Sequence, residues 1–276
     1  MIPYTKFVDV AYDNVVIPPR SDEEYKIFLS YTAYWTVFFI SSHFFLVFLF
    51  NTSTISKRIQ YVDKKKVEEL PGYITSLIHH MGISPICLSF IIFDYLKFNE
   101  SGGVLFPAGH YSDLYSPTGL FPFTFGYFIG DSFVFAIPEV FKPGVSSKIF
   151  FVHHIVALSM IYATFTLSRG SLTQVFAGMM CTEFSTIFFN IAWILRAFGF
   201  RDWTVVNVFE KSFAFFFLLL RNGHLTLLIY VLWFDIAAFG PFQYAILVSM
   251  GLQFFWAFKI VMSIAGPRKP KEKKVD

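Results

Sequence analysis

Residues 150–159 read FFVHHIVALS. The stretch is apolar enough to fill a bilayer core, yet His153 and His154 stand side by side in it. An imidazole in hydrocarbon is costly unless a partner satisfies it. Ionisable groups inside membrane spans therefore face a bundle interior or a wet cavity. Whether the chain holds other such runs, with polar groups able to meet these histidines, decides the fold.

It does. Of 276 residues 55% are hydrophobic and only 15% charged, against about a quarter charged in soluble domains. Mean hydropathy is +0.56, and 39 residues are Phe. Several runs with few charges approach or exceed the ~20 residues that cross ~30 Å of hydrocarbon. The pattern predicts an all-α integral membrane protein with seven transmembrane helices, at 27–50, 72–96, about 120–140, 149–168, 172–195, 207–233 and 241–265. Gly82 and Pro85 interrupt the second span, and Pro122 and Pro138 bracket the third. Residues 1–26 read as a non-cytoplasmic segment, 27–265 as one membrane domain, and 266–276 as a basic cytoplasmic tail.

Orientation follows from Lys and Arg, which favour the cytoplasmic side. With the 51–71 loop inside, that side holds fourteen basic residues, among them Lys57, Arg58, Lys64, Arg196, Arg201 and Arg268. The other side holds five: Lys6, Arg20, Lys26, Lys97 and Arg169. An even number of spans would spoil this asymmetry. The first 26 residues mix acidic and basic groups, unlike a secretory signal or an Arg-rich transit peptide, so the first span is expected to direct insertion. Lys273-Lys274, two residues from the last, resembles a dilysine retrieval signal and favours the endoplasmic reticulum, with a mitochondrial membrane left open. Asn99-Glu100-Ser101 is a glycosylation acceptor on the predicted lumenal side. Cys87 and Cys181 lie in apolar runs and read as small buried hydrophobes.

The polar residues inside the spans are His79, His80, Asp131, His153, His154, Glu183, Asn190, Arg221 and His224. On ~1.5 Å of rise per residue, the histidine pairs and Asn190 form a layer in the cytoplasmic half. Asp131, Glu183, Arg221 and His224 fall deeper, near the bilayer centre. Glu183, Thr186 and Asn190, spaced i, i+3, i+7, share a helix face, and so do Arg221 and His224. Neighbouring helical residues diverge by ~100°, so one of His153 and His154 is expected to face the cavity while the other bonds a neighbouring helix. Asp131 and Glu183 against Arg221 and one protonated histidine would nearly cancel, as burial of charge demands. Two readings stand: a chamber shared by these groups, or separate polar contacts that hold the bundle together.

Three stretches carry a resemblance: FGYFIGDSFVF (125–135), VHHIVALS (152–159) and CTEFSTIFFNIAWILRAFG (181–199). Over roughly residues 65–265 the chain resembles the TLC-domain family, which includes the TRAM proteins and the ceramide synthases. It is most similar to the smaller TLC-domain proteins, in which a histidine pair precedes a Glu-Xaa-Ser-Thr stretch with a following Asn and Trp. Here these are His153, His154, Glu183, Ser185, Thr186, Asn190 and Trp193. The resemblance implies a helical bundle around a lipid-accessible cavity. Ceramide synthases carry a further His-Asp element where this chain has Met179–Glu183, so ceramide synthesis is not what the resemblance implies here.

The expected function is lipid handling, either binding and sensing or acyl transfer. In a catalytic version His153 or His154 would be base or nucleophile, Glu183 or Asp131 would orient an imidazole, and Arg221 would hold an anionic headgroup or oxyanion. His79, His80, Asn190 and His224 would complete the headgroup site. No cofactor is required, though acyl-CoA would be the co-substrate of an acyltransferase related to the ceramide synthases. Membrane lipids are the expected partners, with protein partners if the chain is instead a non-catalytic subunit of a larger membrane assembly, and no nucleic acid. The chain has seven histidines, and its two pairs are bare i, i+1 steps without the repeated boxes of di-iron lipid hydroxylases and desaturases. Lys259 near the end of the last span reads as a snorkelling residue rather than a chromophore site.

Overall fold

The structure, a computed structural model, describes residues 20–52, 64–96, 117–141, 145–167, 170–231, 233 and 241–265. Several sequence readings lie wholly or partly outside these residues: the N-terminal segment through residue 19, the basic loop at Lys57 and Arg58, Lys97 and the Asn99 acceptor, Arg169, and the tail with Lys273 and Lys274. The described residues form helices and no strand.

Seven helical rods follow the predicted spans. They are α1 (Asp22–Thr52), α2 (Lys64–Leu96), α3 (Leu120–Asp131 continued by Ser132–Ala136 and Ile137–Val140), α4 (Val145–Leu167), α5 (Gly170–Thr182 and Phe184–Ala197), α6 (Thr204–Phe216, Phe217–His224 and Leu225–Val231) and α7 (Pro241–Ala265). Six are long and apolar enough to cross a membrane; α3 is a shorter apolar helix.

Local chemistry sets the ends. α1 starts before the predicted residue 27 because Ser21 and Glu24 form a capping box. The Glu24 N–H donates to Ser21 Oγ at 3.2 Å, and the Ser21 N–H donates to Glu24 Oε2 at 2.9 Å. The predicted interruption of α2 is not found: the helix runs through both Pro71 and Pro85. Proline removes one N–H and crowds one carbonyl, and membrane helices tolerate this where neighbours cover the gap. Pro122 sits in the first turn of α3, where an N–H would be unpaired anyway.

Contacts between the rods give the topology. α2, α3, α4, α7, α6 and α5 close a ring, each touching the next and α5 touching α2 again. α1 stands outside, packed on α3 and α2. Only 11% of its membrane window is buried, against 44% for α5 and α6. In hydrocarbon no water drives helices together, so close van der Waals fit must do it. Gly126 and Gly130, one turn apart on α3, supply that fit. A Cβ on Gly126 would lie 2.6 Å from Trp35 Cβ and 2.9 Å from the Thr32 carbonyl oxygen of α1.

One end of the bundle is packed solid. Phe28, Ile83, Cys87, Phe121, Phe165 and Phe176 form its buried core, with Phe28 stacked on Phe165 at 3.9 Å and Phe121 on Phe176 at 4.1 Å. These residues come from the starts of α1, α3 and α5 and the later halves of α2 and α4. The opposite end is hollow.

Candidate functional site

Three ring helices lose regular α geometry beside polar residues, and this aims the side chains. α3 passes into a π turn, Ser132–Ala136, directly after Asp131 and just before Pro138. α6 holds a π segment, Phe217–His224, around Arg221. α5 breaks at Glu183, whose N–H reaches only back to the Met180 carbonyl at 3.2 Å. Hydroxyls take up carbonyls near the break: Ser185 Oγ donates to the Thr182 oxygen at 2.9 Å and Thr182 Oγ1 to the Met179 oxygen at 2.5 Å. Local π turns inside α-helices often mark functional sites.

The hollow end encloses a cavity of about 490 Å³. All six ring helices line it, and α1 contributes nothing. Its polar lining includes His80, Asp131, His153, His154, Glu183, Asn190 and Arg221, seven of the nine residues singled out in the spans. Phe128, Phe135, Phe150, Phe189, Phe213 and Trp256 provide much of the apolar wall. The exposed Lys259 marks the mouth, with Ile260 beside it.

Two ion pairs cross between helices at the inner end. His154 Nε2 of α4 lies 2.7 Å from Asp131 Oδ2 of α3, and His154 Nδ1 donates to the Phe150 carbonyl at 3.1 Å. A carbonyl only accepts, so Nδ1 carries a proton. A further proton must bridge Nε2 and Oδ2, because two lone pairs would repel at that distance. Wherever it sits, the His154–Asp131 pair is neutral as a unit. Arg221 Nη2 of α6 donates to Glu183 Oε2 of α5 at 2.7 Å and to Thr186 Oγ1 at 3.0 Å, while Nη1 donates to Gln253 Oε1 of α7 at 3.0 Å. Thr186 Oγ1 in turn donates to Glu183 Oε2 at 2.8 Å. This second pair is neutral as well.

Other groups lack such partners. His80 Nδ1 is 3.8 Å from Glu183 Oε2, beyond hydrogen-bond reach. Its residue is 4% exposed and that nitrogen is unbonded. His153 makes ring contacts with Phe128, His154 and Trp256, the last at 5.4 Å, and neither ring nitrogen is hydrogen-bonded among the described residues. Asn190 Nδ2 donates to Ser76 Oγ at 3.0 Å, tying α5 to α2.

The structure refines the face assignments. His154 does bond a neighbouring helix, but both His153 and His154 line the cavity. The two predicted depth layers interlock through His154–Asp131. His79 lies outside the cavity lining, fully buried and stacked on Tyr127 at 3.9 Å with Phe123 close by. His224 also lies outside it, near Gly178 of α5. A π turn takes more residues than an α turn, so the i, i+3 spacing of Arg221 and His224 no longer returns to one face. Sequence reasoning missed Gln253 and Trp256; no periodic signal marks them in an apolar helix. Among the described residues, no group of three or more His, Cys, Asp or Glu is arranged to hold a metal ion.

A multi-pass helical membrane protein with a polar-ended cavity inside a six-helix ring is thus defined. Residues 73–262 match the TLC domain profile, and the chain belongs to the TLC-domain family, a family linked to lipid biology. The matched segment runs from Tyr73 within α2 to Met262 near the end of α7, so it spans the ring and leaves out α1. No individual curated protein and no solved structure matches the chain.

Proposed function

We propose that the chain binds a membrane lipid inside the ring, apolar chain against the aromatic wall and polar end at the ion-paired inner end. The observation that carries this reading is the cavity itself. Its ~490 Å³ falls within the ~300–1,000 Å³ of small-molecule sites, and its lining separates into aromatic walls and a polar inner end. Such a lining matches an amphipathic occupant.

The test is lipid analysis of the purified protein. A lipid should remain on the wild type through detergent extraction. Ser76→Trp, which places an indole in the cavity, should lose it while the thermal unfolding temperature stays close to wild type. Equal lipid retention by a well-folded Ser76→Trp protein overturns the reading.

A catalytic version is favoured by one further observation, the free ring nitrogens of His153 beside the neutral His154–Asp131 pair. His153 would take the proton of a lipid hydroxyl as that oxygen bonds the acyl carbon of acyl-CoA. The C–S bond breaks and the CoA thiolate takes that proton from His153, which returns to its neutral form. The phosphates of CoA would lie at the mouth, near Lys259. His153→Ala should then abolish acyl product in a reconstituted assay without releasing the bound lipid.

A further inference from the structure

We infer that the buried end of the ligand is an uncharged hydrogen-bonding group, best a hydroxyl, and that anionic headgroups are rejected. This rests on the lipid-binding reading and specifies its ligand class.

The argument is one of charge balance. The lining holds two carboxylates, Asp131 and Glu183, and two obligate cations, Arg221 and Lys259. Asp131 is matched by His154 at 2.7 Å and Glu183 by Arg221 at 2.7 Å. Lys259 is exposed at the mouth, its Nζ 4.6 Å from the Phe255 ring centre. The inner end therefore offers no uncompensated positive charge. Arg221 has its Nη groups committed to Glu183, Thr186 and Gln253. A phosphate arriving there would either face Glu183 and Asp131 or break an ion pair and strand one carboxylate in a low-dielectric site. Both cost orders of magnitude in affinity.

What the inner end does offer is neutral hydrogen bonding. His80 Nδ1 has no hydrogen-bond partner, His153 makes no hydrogen bond among the described residues, and both residues line the cavity. A neutral imidazole presents one donor and one acceptor, and a hydroxyl answers with both. On this inference Arg221 serves Glu183 rather than an anionic headgroup, and the histidines are left for the ligand.

The experiment uses the full-length protein in phosphatidylcholine nanodiscs and two diazirine- and alkyne-tagged probes of equal chain length, a fatty alcohol and an alkyl phosphate. Photolabelled peptides are mapped by mass spectrometry. The alcohol should label peptides spanning 127–135 and 213–221 at least about tenfold more than the phosphate, with the signal competed by unlabelled alcohol. Glu183→Gln, which leaves Arg221 uncompensated, should raise phosphate labelling and narrow or invert the preference. Wild-type labelling by the phosphate equal to or above that by the alcohol overturns the inference while leaving lipid binding intact. Failure of both probes to label these peptides overturns the lipid-binding reading, and this inference with it. The wild-type comparison decides even if Glu183→Gln does not fold.

Discussion

His154 of α4 and Asp131 of α3 meet at 2.7 Å inside the ring, and both ring nitrogens of His154 are committed. His153, its neighbour in sequence, makes no hydrogen bond among the described residues. The pair divides its work, as the ~100° between neighbouring helical residues leads one to expect: His154 fixes α3 to α4, and His153 faces the cavity.

Removing one side of a buried pair leaves the other uncompensated. Asp131→Ala should cost ~3–5 kcal/mol, read as a marked fall in thermal unfolding temperature in detergent. Asp131→Asn should cost much less, because an amide N–H can donate to Nε2 of a neutral His154 that keeps its Nδ1–H on the Phe150 carbonyl. Equal losses in the two variants would contradict the bonding described.

His153→Ala should behave differently from His154→Ala. His153 gives up ring contacts but no hydrogen bond, so its loss should shift stability by only ~1 kcal/mol. His154→Ala strands Asp131 and should approach the cost of Asp131→Ala. Thermal unfolding of the two variants side by side makes the comparison.

Glycine contacts predict an order that the shortest distances would reverse. A Cβ on Gly178 would come closest of all to a neighbour, but that neighbour is Leu228 Cδ2, the end of a flexible side chain that can turn aside. A Cβ on Gly126 would meet α1 backbone, Thr32 O and Thr36 N, each at 2.9 Å. Gly126→Ala should therefore be the more damaging, by ~1–3 kcal/mol, and should loosen α1. A cysteine cross-link engineered between α1 and α3 would form more slowly in that variant.

Ser21→Ala removes the hydroxyl that accepts the Glu24 N–H. The first turn of α1 should lose ~0.5–2 kcal/mol of local stability. Hydrogen exchange at residues 22–25 should quicken, with exchange in the ring helices unchanged.

The sequence by itself determined the class, an all-helical membrane protein, because only helices of ~20 apolar residues satisfy their own backbone groups in hydrocarbon. Most predicted spans fall within a few residues of the helices formed. It also picked out the cavity residues His80, Asp131, His153, His154, Glu183, Asn190 and Arg221, since an ionisable group in such a run is rare enough to stand out. Tertiary structure alone decided how these residues pair and which way they face. The i, i+3 rule assumes uninterrupted α geometry, and the π turns at Ser132–Ala136 and Phe217–His224 with the break at Glu183 remove that assumption where it mattered. Hence His224 packs outside the chamber, and Gln253 enters the Arg221 network from a helix whose sequence gave no hint of it; His79, on the uninterrupted α2, lies outside because it stands ~100° around the helix from His80. Helical periodicity is local, whereas the partner of a buried charge is set by which helices the ring brings together.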